Sequence, residues 1–305
     1  RLQIPEIVRT RAMLRGYEGL AWLDGLPATA AGLAHDWDLE LGPVLAGGTD
    51  ALVAACRTRG GQDVVLKIVM PGLGPGNDQL RALLAFKGRG YVEVLRHDAA
   101  RNAMLLERLG APLSELGLPI AGQIEVICAT LRQAWANPPD DHGFTTGAEK
   151  AESLATFITD LWRDLGGPCS QRTVDLALDF ADRRRRAFDP AACVLAHGDA
   201  HAANTLAVPG REGRFKFIDP DGLFIEPAYD LAIPMRDWGA ELLAGDPVLL
   251  GQGRCDQLAR LTGVEPVPIW QWGFIERVST GLLLLQLGQT SLAEEYLTVA
   301  EAWAA

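Results

Sequence analysis

Basic residues, aromatics and sulfur are all scarce in this 305-residue chain, which has 28 Lys and Arg against 39 Asp and Glu, 7% aromatic residues and five cysteines. The net charge of −11 leaves no basic face for a phosphate backbone, so the composition argues against nucleic-acid binding and favours a cationic small molecule as partner. Cys56, Cys128, Cys169, Cys193 and Cys255 are odd in number and scattered, with neither C-x-x-C nor zinc-finger spacing. They read as reduced core thiols. No apolar run approaches the roughly 20 residues of a membrane-spanning helix, since Gly281-Leu282-Leu283-Leu284-Leu285 soon meets Gln286 and Gln289. The opening Arg1-Leu2-Gln3-Ile4-Pro5 carries charge and no signal-peptide apolar stretch. The expectation is a cytoplasmic protein, a monomer or weak dimer, without a membrane partner. A G-x-x-x-x-G-K-[ST] loop is also absent, which excludes a P-loop fold.

What is present describes a globular chain, with 48% hydrophobic and 22% charged residues and a length suited to two domains or one bilobed unit. Apolar residues at helical spacing predict a helix from Pro5 to about Asp24. From Leu39 to Val69 the period changes to that of strands, broken by Gly47-Gly48-Thr49-Asp50 and Thr58-Arg59-Gly60-Gly61, which predicts an antiparallel meander. The loop Pro71 to Gly76 then leads to Asn77 or Asp78 as a helix cap. Strands over 92–95 and 103–106 bring a small β lobe to five. After Leu109 the pattern is helical. Leu154, Phe157, Ile158, Leu161, Trp162 and Leu165 trace one helix face, and Arg183 to Arg186 read as a solvated one. The predicted class is α+β, with a five-stranded antiparallel lobe over 1–109 and a larger, mainly helical lobe over 110–305.

The chemistry concentrates between Val194 and Asp219. A hairpin centred on Arg211 and Glu212 pairs Leu206 with Phe217 and Val208 with Phe215, which sets Asn204 beside Asp219. With Asp199 just upstream, these oxygen donors suit Mg²⁺, which needs few protein ligands where phosphates supply the rest. A metal, a positioned carboxylate and no reactive Ser or Cys motif suggest phosphoryl transfer. Lys67, interrupting the apolar strand Val64 to Val69, is the candidate phosphate lysine. Taken singly, Asp199, Asn204 and Asp219 are turn and cap residues and Lys67 is an edge-strand lysine. Their joint H-x-D-x-x-x-x-N spacing (His197, Asp199, Asn204) after a strand lysine favours a phosphotransfer site.

The segments His197-Gly198-Asp199-x-His201-x-x-Asn204, Ile218-Asp219-Pro220, Glu226 to Ala232, Val65-Leu66-Lys67, Leu105 to Leu109 and Ala21-Trp22-Leu23-x-x-Leu26-Pro27 resemble the aminoglycoside phosphotransferase family. Within it they resemble the streptomycin 6-kinase and hydroxyurea phosphotransferase branch. The resemblance implies a bilobed protein-kinase-like fold that uses ATP, or GTP, with Mg²⁺. Asp199 would be the catalytic base, Asn204 and Asp219 the metal ligands, and Lys67 a phosphate contact. The base would hang from the connector of Glu107 and Leu109, Gly48 would lie in the nucleotide loop, and His197 and Asp230 would give structural support. Gln79 stands where the family offers a glutamate to the lysine, with Asp78 one residue away.

The acceptor expected is a streptomycin-like aminoglycoside, its guanidinium groups met by Asp221, Glu226, Asp237 and Glu241. The alternatives are a kinase for hydroxyurea or another small metabolite, or a pseudokinase that binds nucleotide without turnover.

Overall fold

The computed structural model describes residues 3–45, 48, 50–71, 78–138 and 143–305. The chain forms two compact units, Arg1–Gly110 and Ala111–Ala305. In the first, α1 (Glu6–Leu14) and α2 (Gly16–Asp36) precede β1 (Leu39–Val44), β2 (Ala51–Thr58), β3 (Asp63–Val69), α3 (Asp78–Phe86), β4 (Val94–Asp98) and β5 (Ala103–Glu107). The single N-terminal helix predicted to end near Asp24 is thus two helices reaching Asp36. The break falls at Gly16, whose φ of +61° lies in the left-handed region that glycine enters without a Cβ clash.

The five strands form one antiparallel sheet in the order β1-β2-β3-β5-β4. Leu26 and Leu33 of α2 cover one of its faces, packing on Leu52, Leu66, Ile68 and Leu105. Lys67 lies on β3, between Val53 of β2 and Met104 of β5, and only 6% of it is exposed. Its reading as an edge-strand lysine is therefore wrong, because it occupies the middle of the sheet.

The second unit contains α4 (Ile120–Ala134), β6 (Thr145–Thr146), α5 (Gly147–Asp164), α6 (Gln171–Arg186), β7 (Val194–Ala196), β8 (Thr205–Ala207), β9 (Phe215–Phe217) and β10 (Leu223–Ile225). Five helices follow: α7 (Ala228–Arg236), α8 (Gly239–Leu243), α9 (Pro247–Thr262), α10 (Pro266–Gln286) and α11 (Thr290–Ala304). A reciprocal capping box between Thr146 and Glu149 starts α5. Helix α10 is the axis of the unit: Ile269, Trp272, Phe274, Ile275, Val278 and Leu282 are wholly buried, as expected of a helix apolar all round. No described helix is long and apolar enough to cross a membrane.

The segment from Val194 to Ile225 hangs on two small sheets, β6-β10-β7 and β8-β9. The hairpin register differs from the predicted one by a residue: Thr205 faces Phe217, Leu206 faces Lys216 and Ala207 faces Phe215. Maximising apolar pairs across the hairpin misplaced it. Phe217 and Thr205 are both fully buried, and the face, not the cross-strand pair, decides the register.

Candidate active site

The site begins with the turn that follows β7. Asp230, in the first turn of α7, has no exposed surface. Its Oδ2 accepts the backbone N–H of His197 at 3.0 Å and the indole N–H of Trp135 at 2.9 Å, and its Oδ1 accepts the N–H of Gly198 at 2.8 Å. A buried carboxylate that receives three donors is fully satisfied, and it pins the loop in return. His197, also fully buried, accepts the N–H of Asp199 on Nδ1 at 3.0 Å, so its proton sits on Nε2, which donates to the carbonyl of Ile218 at 2.9 Å. One imidazole thereby ties the loop carrying Asp199 to the strand end carrying Asp219.

Asn204 closes the 3-10 turn Ala202–Asn204. Its backbone carbonyl takes the N–H of Ile218 at 2.9 Å, so its partner across the hairpin is Ile218 and not Asp219. Asp219 is the next residue, with φ of +56°. The amide nitrogen of Asn204 donates to the carbonyl of Asp199 at 3.1 Å, which turns its Oδ1 away as the remaining acceptor. No cluster of three His, Cys, Asp or Glu side chains able to hold a metal occurs among the described residues. Two oxygen donors at one hairpin end still fit a hard cation that completes its shell with phosphate oxygens and water.

Asp199 is more than a third exposed. Its Oδ1 meets Arg236 Nη2 at 3.1 Å, and its Oδ2 meets His201 Nε2 at 3.3 Å. Burial pushes its carboxyl up, but the hydrogen bond from His201 and the charge of Arg236 outweigh that and hold it well below the usual carboxylate range. It is ionised at any working pH. An ionised carboxylate of this kind can accept a hydrogen bond from a hydroxyl, and its low affinity for a proton makes it a weak base.

The acids expected at the acceptor divide. Glu226 is engaged inside the protein: Arg184 Nη1 lies 3.3 Å from each of its oxygens, and Trp272 Nε1 donates to Oε1 at 2.9 Å. Arg184 therefore leaves the solvated run of Arg183 to Arg186, with 13% side-chain exposure. Glu241 pairs with the buried Arg254. Asp237 accepts from Arg236 Nε at 3.1 Å. Asp221 is exposed and taken by no described arginine. Crowding by protein, with Asp199 and Glu276 nearby, raises its carboxyl above the ordinary range, against the pull of Lys150.

In the first unit, Glu107 ends β5 and accepts the N–H of Glu93 at 2.8 Å, and Leu109 is buried. A Cβ at Gly48 would stand 2.7 Å from the carbonyl oxygen of Ala51, so backbone contact alone demands glycine there. Gly47, Thr49 and the side chain of Asp78 lie outside the described residues, and Gln79 is partly buried.

Sequence reasoning missed Arg236, which meets the Asp199 carboxylate, and Glu276, which meets Arg236. The readable signal was Glu276-Arg277, a charged pair in the middle of the apolar run of α10.

An antiparallel five-stranded unit, followed by a helical unit that carries such a loop, defines a kinase-like phosphotransferase fold. Amicoumacin kinase hAmiN in complex with AMP-PNP, Ca²⁺ and Ami superposes with a TM-score of 0.58 at 12% identity, covering 91% of this chain and 96% of that one. A model of the aminoglycoside/hydroxyurea antibiotic resistance kinases matches residues 37–285, and the chain belongs to that family. Streptomycin 6-kinase of Streptomyces glaucescens is 26% identical over 99% of this chain and 97% of its own length. Hydroxyurea phosphotransferase of Kitasatospora aureofaciens is 28% identical over 98% of this chain and 85% of its own.

Proposed function

We propose that the protein is an ATP-dependent O-phosphotransferase that modifies a hydroxyl of a streptomycin-like aminoglycoside. The observation that carries the reading is Asp199 on a loop pinned by His197 and Asp230 and bonded by the Asn204 amide, with Asp219 following the hairpin partner of Asn204. In phosphoryl transfer the protein's work is positioning and charge neutralisation, and this loop is built for both. Asp199 orients the acceptor hydroxyl and takes its proton as the bond to phosphorus forms. Lys67 holds the nucleotide phosphates, and the connector at Glu107 and Leu109 receives the base. Asn204 and Asp219 would hold Mg²⁺, which neutralises charge on the transferring phosphate. AMP-PNP and Ca²⁺ bound to the amicoumacin kinase support a nucleotide and a divalent cation in this fold, with GTP as the other possible donor. The protein works in the cytoplasm as a monomer or weak dimer, on a small molecule alone.

Commitment of Glu226, Glu241 and Asp237 to internal partners leaves Asp221 for a cationic acceptor, a smaller set than sequence reasoning assigned. That favours keeping hydroxyurea as the second acceptor to test. The experiment is incubation with Mg-ATP or Mg-GTP and, separately, streptomycin, a second aminocyclitol and hydroxyurea. Nucleoside diphosphate release is followed together with the mass of the acceptor. Streptomycin should gain one phosphate, and Asp199→Asn should bind nucleotide but lose nearly all transfer. A pseudokinase would bind nucleotide and phosphorylate none of them.

A further inference from the structure

Each nitrogen of the Arg236 guanidinium goes to a different carboxylate. Nε meets Asp237 at 3.1 Å, Nη2 meets Asp199 Oδ1 at 3.1 Å and Nη1 meets Glu276 Oε2 at 3.6 Å. Glu276 comes from the buried axis of α10, with 8% of its side chain exposed, and its other oxygen takes the hydroxyl of Tyr229 from α7. A carboxylate among Trp272, Ile275 and Val278 costs stability unless it is paired, and packing alone is better served by an apolar residue.

We propose that Glu276 is a positioning residue for phosphoryl transfer, acting through Arg236 on the orientation and charge of the Asp199 carboxylate. The inference rests on the reading of Asp199 as the group that receives the acceptor hydroxyl. A guanidinium left with an aspartate before it closes into a two-point fork that engages both oxygens. By drawing Nη1 toward α10, Glu276 limits Arg236 to one contact, on Oδ1, and keeps Asp199 oxygen valence for the acceptor. Three carboxylates also share this one guanidinium, so the group around the transferred proton stays negative. Tyr229 fixes the far oxygen of Glu276, and the chain Tyr229–Glu276–Arg236–Asp199 carries the setting from the α10 axis to the loop.

Glu276→Gln tests this with little change of volume, because the amide oxygen still accepts from Tyr229 while the charge that holds Nη1 is gone. In the whole protein, kcat should fall about tenfold, as expected for a displaced catalytic contact. KM for nucleotide and for acceptor, and the melting temperature, should stay close to wild type, a split that a merely structural role does not produce. Arg236→Lys cannot serve three carboxylates, so adding Glu276→Gln to it should cost no further kcat. Wild-type kcat in Glu276→Gln, or multiplicative losses in the double variant, overturns the proposal and leaves the phosphotransfer reading intact. If Arg236→Lys does not fold, the kcat and KM values of Glu276→Gln decide alone. A wild-type protein that phosphorylates no acceptor overturns the reading and the positioning role with it.

Discussion

Oδ1 of Asp230 accepts the N–H of Gly198 at 2.8 Å across 32 residues of sequence. Gly198 has φ of +91°, and a Cβ there would stand 2.8 Å from that of Asp221, so the turn needs both the glycine and the remote carboxylate. In Asp230→Asn one amide oxygen must replace two carboxylate oxygens, and its NH₂ faces the N–H donors that Asp230 accepts. The expected cost is about 2–4 kcal/mol of unfolding free energy, from orphaned buried donors and lost charge-assisted bonds. Urea denaturation measures it. An unchanged midpoint would remove Asp230 as the brace of the loop.

Asp219 stands at φ of +56°, so glycine is the substitution that removes its carboxylate without backbone strain. Asp219→Gly should melt close to wild type without ligand. Wild type should gain about 2.7 kcal/mol at Mg-ATP concentrations one hundred times Kd, and the variant should lose most of that gain. Equal thermal shifts by Mg-ATP in the two proteins would show that Asp219 holds no metal.

These two residues show how unevenly the sequence exposes the site. Asp199, Asn204 and Asp219 lie within 21 residues, their spacing is set by one loop and one hairpin, and a one-residue error in register still left them at the same end of the hairpin. Lys67 was visible because a lysine in an apolar strand needs a reason, although the sheet order that makes β3 central came only with β5 pairing beside it. Arg236 and Glu276 were not legible as site residues. They join Asp199 over 37 and 77 positions through the packing of α7 on α10, and no local period reports which face of a buried helix meets which neighbour. The acids fared worst. Glu226 and Glu241 follow the motif in sequence, but Arg184 reaches the first from α6, 42 residues away, and Arg254 reaches the second from α9, the next helix.

Asp221 provides the remaining prediction, because its stability effect and its binding role have opposite signs. Its folded carboxyl is raised by crowding and by Asp199 and Glu276, so the folded protein disfavours the charged form. A raised carboxyl means that stability is greatest below the ordinary aspartate value near 3.9 and is lost as pH rises through the folded value, with the full cost present at neutral pH. Asp221→Asn removes that cost, so its melting temperature should exceed that of wild type at pH 7 and approach it toward pH 4. If Asp221 meets a cationic acceptor, the same substitution should raise acceptor KM and leave nucleotide KM unchanged, the pattern of lost ground-state binding. Such a trade of stability for function is common at binding sites. The attraction is exposed to solvent and should weaken with salt, since screening acts over roughly 8–10 Å at physiological ionic strength. Wild-type acceptor KM should therefore rise with ionic strength more steeply than that of the variant. A variant that melts higher at pH 7 yet keeps wild-type acceptor KM and salt dependence would show that Asp221 is crowded for a reason other than the acceptor.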